Sequence, residues 1–258
     1  MEGHEPSRKA LELVMRSFYR ACRLNIFITL HIDDGCMGGG GSVRHNAFIT
    51  FWDPNQNNAG NNVQLFYNYK NGEDLNGNGV LDTNLNEAIA GVDYNHDGDE
   101  RDVLNEDYDR NGILEPSHFT LERRGIFHYC IFADERFGTT SSGVSWSNED
   151  DFVVAAGSWI RDEGEIAIAG TFMHELGHNL GLTKNANIIW PEGVFLGIDI
   201  EENDPDYHYD DYHSCMNYKY QTTLVDYSDG SRDPSGVNDH DDWSNLNLRG
   251  ITRWNIHE

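Results

Sequence analysis

The stretch Thr171-Phe-Met-His-Glu-Leu-Gly-His-Asn-Leu-Gly-Leu-Thr-Lys184 constrains this chain more than any other. Its apolar spacing predicts a helix over about 166–180, with Gly181 as its C-terminal stop. On a helix, His174 and His178 stand four residues apart and project from one face. Two imidazoles so placed can hold a zinc ion, and Glu175 beside them can take a proton from an attacking water. The competing explanation is an amphipathic helix with solvated histidines. The chain has 12 His, and a chance His-Glu-x-x-His match arises with a frequency of roughly 4%.

A second motif, Ser214-Cys-Met216-Asn-Tyr218, lies downstream. His174-Glu-x-x-His178-x-x-Gly181 followed by a Met-x-Tyr turn resembles the metzincin clan of zinc peptidases. Further blocks carry the same resemblance to secreted prokaryotic members: Glu5-Pro-Ser-Arg-Lys-Ala-Leu11, Asn25-Ile-Phe-Ile-Thr-Leu-His-Ile-Asp33, Phe127-His-Tyr-Cys-Ile-Phe-Ala133, Ala169 to His178, and Asp241-Asp-Trp-Ser-Asn-Leu246. With gaps, these cover most of the chain.

The resemblance implies an α/β (α+β) fold. It comprises a twisted mixed sheet, a backing helix, an active-site helix, and a smaller irregular C-terminal subdomain. Residues 1–184 form the N-terminal catalytic part and 185–258 the part with the Met-turn. It also implies that Met216 is an apolar floor beneath the metal, and that the Tyr218 hydroxyl touches zinc or the oxyanion. The alternative for Tyr218 is a core tyrosine. Residues 152–159 resemble the edge strand on which such enzymes align an extended substrate. A strand precedes the first helix in this family, so Met1 reads as an internal start or the edge of a fragment.

The third zinc ligand stays open. Lys184 stands where the longer form of the motif usually has a histidine. Deprotonating a lysine at pH 7 costs about 4.6 kcal/mol from its reference pKa. Structural zinc sites gain roughly 10–16 kcal/mol, so a neutral Lys184 amine is an admissible ligand. His208 and His213 are alternative donors, as are Asp204 and Asp206. A thermolysin-like glutamate, Glu201 or Glu202, is disfavoured by Gly181 and the Met-turn.

Between about 71 and 116 the chain changes character. One pattern occurs three times: Asp74-x-Asn76-x-Asn78-Gly79, Asp93-x-Asn95-x-Asp97-Gly98 and Asp107-x-Asp109-x-Asn111-Gly112. Oxygen side chains at alternate positions, closed by a glycine turn, can wrap a hard cation. Asp82, Asp99 and Glu115 are further candidate oxygen donors. Position twelve, a bidentate Glu in an EF-hand, is Leu85, Leu104 and His118. These are not EF-hands; they resemble compact aspartate-rich calcium loops of extracellular proteins. A solvated acidic linker is the alternative.

Composition narrows the partners. The formal net charge is -26, with 4 Lys against 26 Asp. That balance argues against nucleic acid and anionic membranes, which need Lys and Arg. It fits a halophile's acidic surface, cation binding, or both. No apolar run is long enough to span a membrane. Cys22, Cys36, Cys130 and Cys215 form no CxxC pair, so a zinc-cysteine site is not expected, and in a secreted chain at least one disulfide is. Helix is predicted over 6–22, with Leu11, Val14, Met15 and Phe18 as its apolar stripe. Strands are predicted over 25–32, 126–133 and 152–159, a short extended piece over 47–52, and a short helix near Trp243.

The expectation is a secreted zinc endopeptidase with bound calcium, acting on polypeptides. Its rivals are an inactive relative that binds metal, favoured by Lys184, and a calcium-dependent structural or adhesion module.

Overall fold

A computed structural model describes residues 6–26, 28–33, 66, 70, 72, 74, 79–81, 85–86, 103–104, 112–114, 119, 123, 127–134, 142–145, 151–157, 163–182, 209–233 and 239–247. Helix α1, Arg8–Ala21, begins where the sequence places it. Ser7 sits in extended backbone as N-cap, and its Oγ accepts from the Ala10 N–H at 3.1 Å. That hydroxyl offsets one of the unpaired amide donors of the first turn. The helix tightens into a 3-10 turn, Cys22–Leu24, and stops at Asn25, whose φ of 62° is left-handed. The buried face is Ala10, Leu11, Val14, Ser17, Phe18 and Ala21. Met15 is only half-buried; Ser17 occupies the stripe instead because its hydroxyl donates to Asp226 at 2.8 Å.

Strands β1, Leu85–Asn86, and β2, Val103–Leu104, form an antiparallel ladder. β3, Tyr129–Ala133, β4, Gly143–Ser145, and β5, Asp151–Ala155, form a second, mixed sheet in the order β3-β5-β4. β5 is parallel to β3 and antiparallel to β4. The strand expected over 126–133 is β3, and that over 152–159 is β5. The edge position expected for 152–159 is corrected: β5 is central, and β4 lies at the end of the described sheet. The run Phe152-Val-Val-Ala-Ala156 is apolar at every position, and all five residues of β5 are buried. That pattern belongs to a strand covered on both faces, and β3 and β4 occupy both of its ladders, so it has no free edge to offer.

The strand expected over 25–32 is also corrected. Among the described residues of that span, no ladder forms. Ile26, Ile28, Leu30 and Ile32 still lean on the core at alternate positions, so a period of two is satisfied by packing alone. The extended piece expected over 47–52 lies outside the described residues.

Helix α2, Glu165–Asn179, crosses the sheet and buries eleven of its residues. α1 and β5 pack on it to form one core with Phe152, Val154, Phe172, Met173 and Leu176. Gly170 lets the C-terminal segment approach closely: a Cβ there would collide with the carbonyls of Gln221 and Leu224. That segment adds a 3-10 turn, Tyr209–Asp211, and two short helices, α3, Tyr218–Gln221, and α4, Asp242–Asn245. The short helix expected near Trp243 is α4. Trp243, Tyr227 and Phe18 meet edge to face, with centroids 5.0–6.1 Å apart. Cys22, Cys130 and Cys215 are free thiols. The disulfide expectation therefore fails for every pairing among these three; Cys36 lies outside the described residues. Among the described residues, no helix is long and apolar enough to cross a membrane.

Candidate metal centre

The C-terminus of α2 builds the site. Gly181, at φ 88°, turns the chain back so that its N–H donates to the His178 carbonyl at 3.0 Å and the Leu182 N–H donates to the Gly177 carbonyl at 2.8 Å. This pair of bonds is a Schellman cap, which needs a left-handed residue where glycine stands. The same reversal brings the Leu182 carbonyl to 2.9 Å from His178 Nδ1. His174, only 2% exposed, is held likewise: its Nδ1 lies 2.9 Å from the Cys215 carbonyl of the Met-turn.

Those two contacts decide the protonation pattern. A carbonyl oxygen only accepts, so each Nδ1 carries a proton, and in the neutral imidazole each Nε2 presents its lone pair. The two Nε2 atoms are 3.1 Å apart, with the rings nearly perpendicular at 89°. In that neutral state neither has a hydrogen for the other, so the pair favours a cation, a proton or a metal ion, between the two lone pairs. Zinc bonds of 2.0–2.1 Å at a tetrahedral angle separate two ligand nitrogens by about 3.3 Å. The donor set, the spacing and the backbone carbonyls behind each ring all fit that ion.

Glu175 is buried, and its carboxylate lies against Gly143 of β4, where any side chain would collide with it and with the Val153 carbonyl. Met216 is fully buried, and its sulfur packs against Gly177. Gly177 was missed in the sequence because it stands at an unassigned position of the motif; only the close approach of Met216 and Tyr227 shows its role. The turn itself is fastened by the Cys215 N–H to the Asp226 carbonyl at 2.8 Å and by the Tyr227 hydroxyl to the Met173 carbonyl at 2.7 Å. Burial, followed by the nearby Asp242 and Asp226 carboxylates, holds the Cys215 thiol well above its usual range. A thiol so raised stays protonated near neutral pH. Tyr218 is 45% exposed, so it is not a core tyrosine, and its ring stacks on His174 at 5.5 Å.

Among the described residues, no group of three His, Cys, Asp or Glu side chains forms. The His213 ring lies tilted by 38° against that of Tyr220, with centroids 4.5 Å apart. Lys184, His208, Asp204 and Asp206 lie outside the described residues.

Of the acidic loops, Asn76, Asn78, Asp82, Asp93, Asn95, Asp97, Asp99, Asp107, Asp109, Asn111 and Glu115 lie outside the described residues as well. Gly79 and Gly112, at position six of the first and third loops, have φ of 72° and 74°, the left-handed turn the repeat requires. Asp74 Oδ2 accepts from the Gly79 N–H at 2.9 Å, while its Oδ1 is buried without a hydrogen-bond partner. Leu85 and Leu104, the residues at position twelve of the first two loops, are cross-strand partners in the β1–β2 ladder.

Comparison with family models, curated proteins and solved structures finds no match to this chain.

Proposed function

We propose that this chain is a zinc-dependent endopeptidase of metzincin type, secreted and stabilised by calcium. The observation that carries the reading is the convergence of two Nε2 lone pairs 3.1 Å apart, each imidazole oriented by a backbone carbonyl. Zinc, when bound by His174 and His178, would polarise the scissile carbonyl and acidify water. Glu175, one residue beyond His174 and buried beside β4, accepts the proton of the attacking water and returns it to the leaving amine. Tyr218, exposed and stacked on His174, would donate its hydroxyl to the developing oxyanion. An extended substrate adds to β4 as an antiparallel strand.

Purified protein should carry about one zinc per chain by elemental analysis and cleave internal bonds of a mixed peptide library. Zinc-loaded protein that leaves every peptide intact would reject the endopeptidase. A metal-binding module without catalysis is the second reading, favoured by Lys184 at the position where the longer motif has its third histidine.

Lys184→His tests the third position. If the native site has two histidines, a third neutral imidazole should tighten zinc and raise activity. If His208 or His213 already serves, the change should do little, and alanine at that histidine should release the metal. Weaker zinc binding by Lys184→His, with both alanine variants unaffected, would make lysine the ligand.

Calcium is argued from the three acidic repeats, whose carboxylates repel one another without a counter-cation. Chelating calcium under conditions that spare zinc should lower Tm and open residues 71–116 to proteolysis. An unchanged melting curve in protein that contains no calcium would reject the assignment.

A further inference from the structure

Asn179 directly follows the second histidine and is 3% exposed. Its Nδ2 donates to Ser145 Oγ at 2.6 Å and to the Asp151 carbonyl at 3.0 Å. Since the carbonyl only accepts, the amide orientation is settled. Oδ1 then faces His128 Nδ1 at 3.2 Å, which must be that ring's protonated nitrogen. Both amide hydrogens and the amide oxygen are engaged, so three segments are tied to one side chain: the end of β4, the start of β5 and the approach to β3.

The tie reaches further. Asp151 forms a buried ion pair with Lys70. Lys70 in turn accepts the Phe119 N–H at 2.8 Å on its carbonyl and holds its ammonium 5.1 Å from the Phe119 ring centroid. Residues 70 and 119 are the two roots of the acidic insertion, so the insertion is anchored to the strand that Asn179 grips.

β4 therefore meets α2 at both of its ends, with Gly143 against Glu175 and Ser145 against Asn179. The lengths match. Four helical residues advance about 6 Å, and two strand residues advance about 6.7 Å. One turn of the helix and the whole of the short strand run side by side.

We propose that Asn179 is a positioning residue: it registers β4 against α2, so that a polypeptide added to β4 crosses the His174–His178 pair beside Glu175. The functional consequence rests on the endopeptidase reading; the registration itself does not. Aspartate would be the wrong residue despite its identical shape. The Ser145 hydroxyl could turn to donate to it, but it has no hydrogen for the Asp151 carbonyl and would set a carboxylate against that carbonyl.

The test compares wild type, Asn179→Asp and Ser145→Ala, each as full chain with zinc bound. Hydrogen exchange of the Gly143–Ser145 amides should quicken by about tenfold or more in Asn179→Asp, and less in Ser145→Ala, with zinc content unchanged. The kcat/KM for an extended peptide should fall by about tenfold, mostly through KM. A short blocked substrate that spans only the scissile bond should be nearly unaffected, a contrast that a loss of global structure would not produce. Exchange in Asn179→Asp within about twofold of wild type overturns the proposal, whatever the activity. A wild type that cleaves nothing, together with faster β4 exchange in the variant, supports the registration and rejects only the peptidase. If Asn179→Asp does not fold, Ser145→Ala decides through the same exchange measurement.

Discussion

Glu175→Ala is expected to lower peptide cleavage by about 10²–10⁴-fold, the usual contribution of a positioned proton-transfer group, while leaving zinc in place. The separation of the two effects follows from the geometry. The histidines are oriented by the carbonyls of Cys215 and Leu182, not by Glu175, so truncating the carboxylate leaves both lone pairs where they were. The carboxylate stands instead against Gly143 at the strand edge, where an attacking water and the scissile amide would meet it. The measurement is steady-state cleavage of a library-selected peptide beside zinc content for both proteins. An alanine variant that cuts as fast as wild type would show that another site carries any activity observed. A variant that loses its zinc would show that Glu175 supports the metal rather than the proton transfer.

The second large effect is on stability and has the opposite sign from what local propensity suggests. In an isolated helix, replacing an interior glycine with alanine gains about 0.5–1 kcal/mol. Gly170 is interior to α2, yet a Cβ there would lie 2.9 Å from the Leu224 carbonyl oxygen and collide with that of Gln221. Backbone cannot move aside as a flexible side chain does. Gly170→Ala should therefore destabilise by about 1–3 kcal/mol, as overpacking generally does, lowering Tm by about 2–4 °C for each kcal/mol. The contact displaced carries Gln221, whose Nε2 donates to Ser142 Oγ at 2.9 Å. A rise in Tm would mean that α2 and the C-terminal segment do not approach as closely as described.

Much of the site was legible in the chain because it is local. His174, Glu175 and His178 share a helical turn, and a period of 3.6 places the two imidazoles on one face without reference to anything else. Gly181 as the helix stop and the left-handed turns at Gly79 and Gly112 are likewise local, since backbone conformation at glycine follows from the absent Cβ. The runs that became α1, β3 and β5 were recognisable from apolar spacing. What spacing could not supply was order in the sheet. The wholly apolar 152–156 run is a central strand, and β4, three residues with no distinctive pattern, lies at one end of the described sheet.

The remaining determinants depend on partners far apart in sequence. Cys215 lies 41 residues from His174, and its carbonyl decides which nitrogen of that ring is left to face His178. Gly170 and Gly177 look like helix blemishes until the carbonyls of the C-terminal segment and the sulfur of Met216 press on them. Asn179 is one polar residue among many until Ser145, Asp151 and His128 close around its amide. Sequence by itself determined which residues can bind a cation and on what element they stand, because those properties come from side-chain chemistry and helical pitch. Tertiary structure alone decided their protonation, their closeness and their register against the edge strand. Those depend on long-range contacts, and no periodicity along a chain encodes which distant carbonyl will meet which ring.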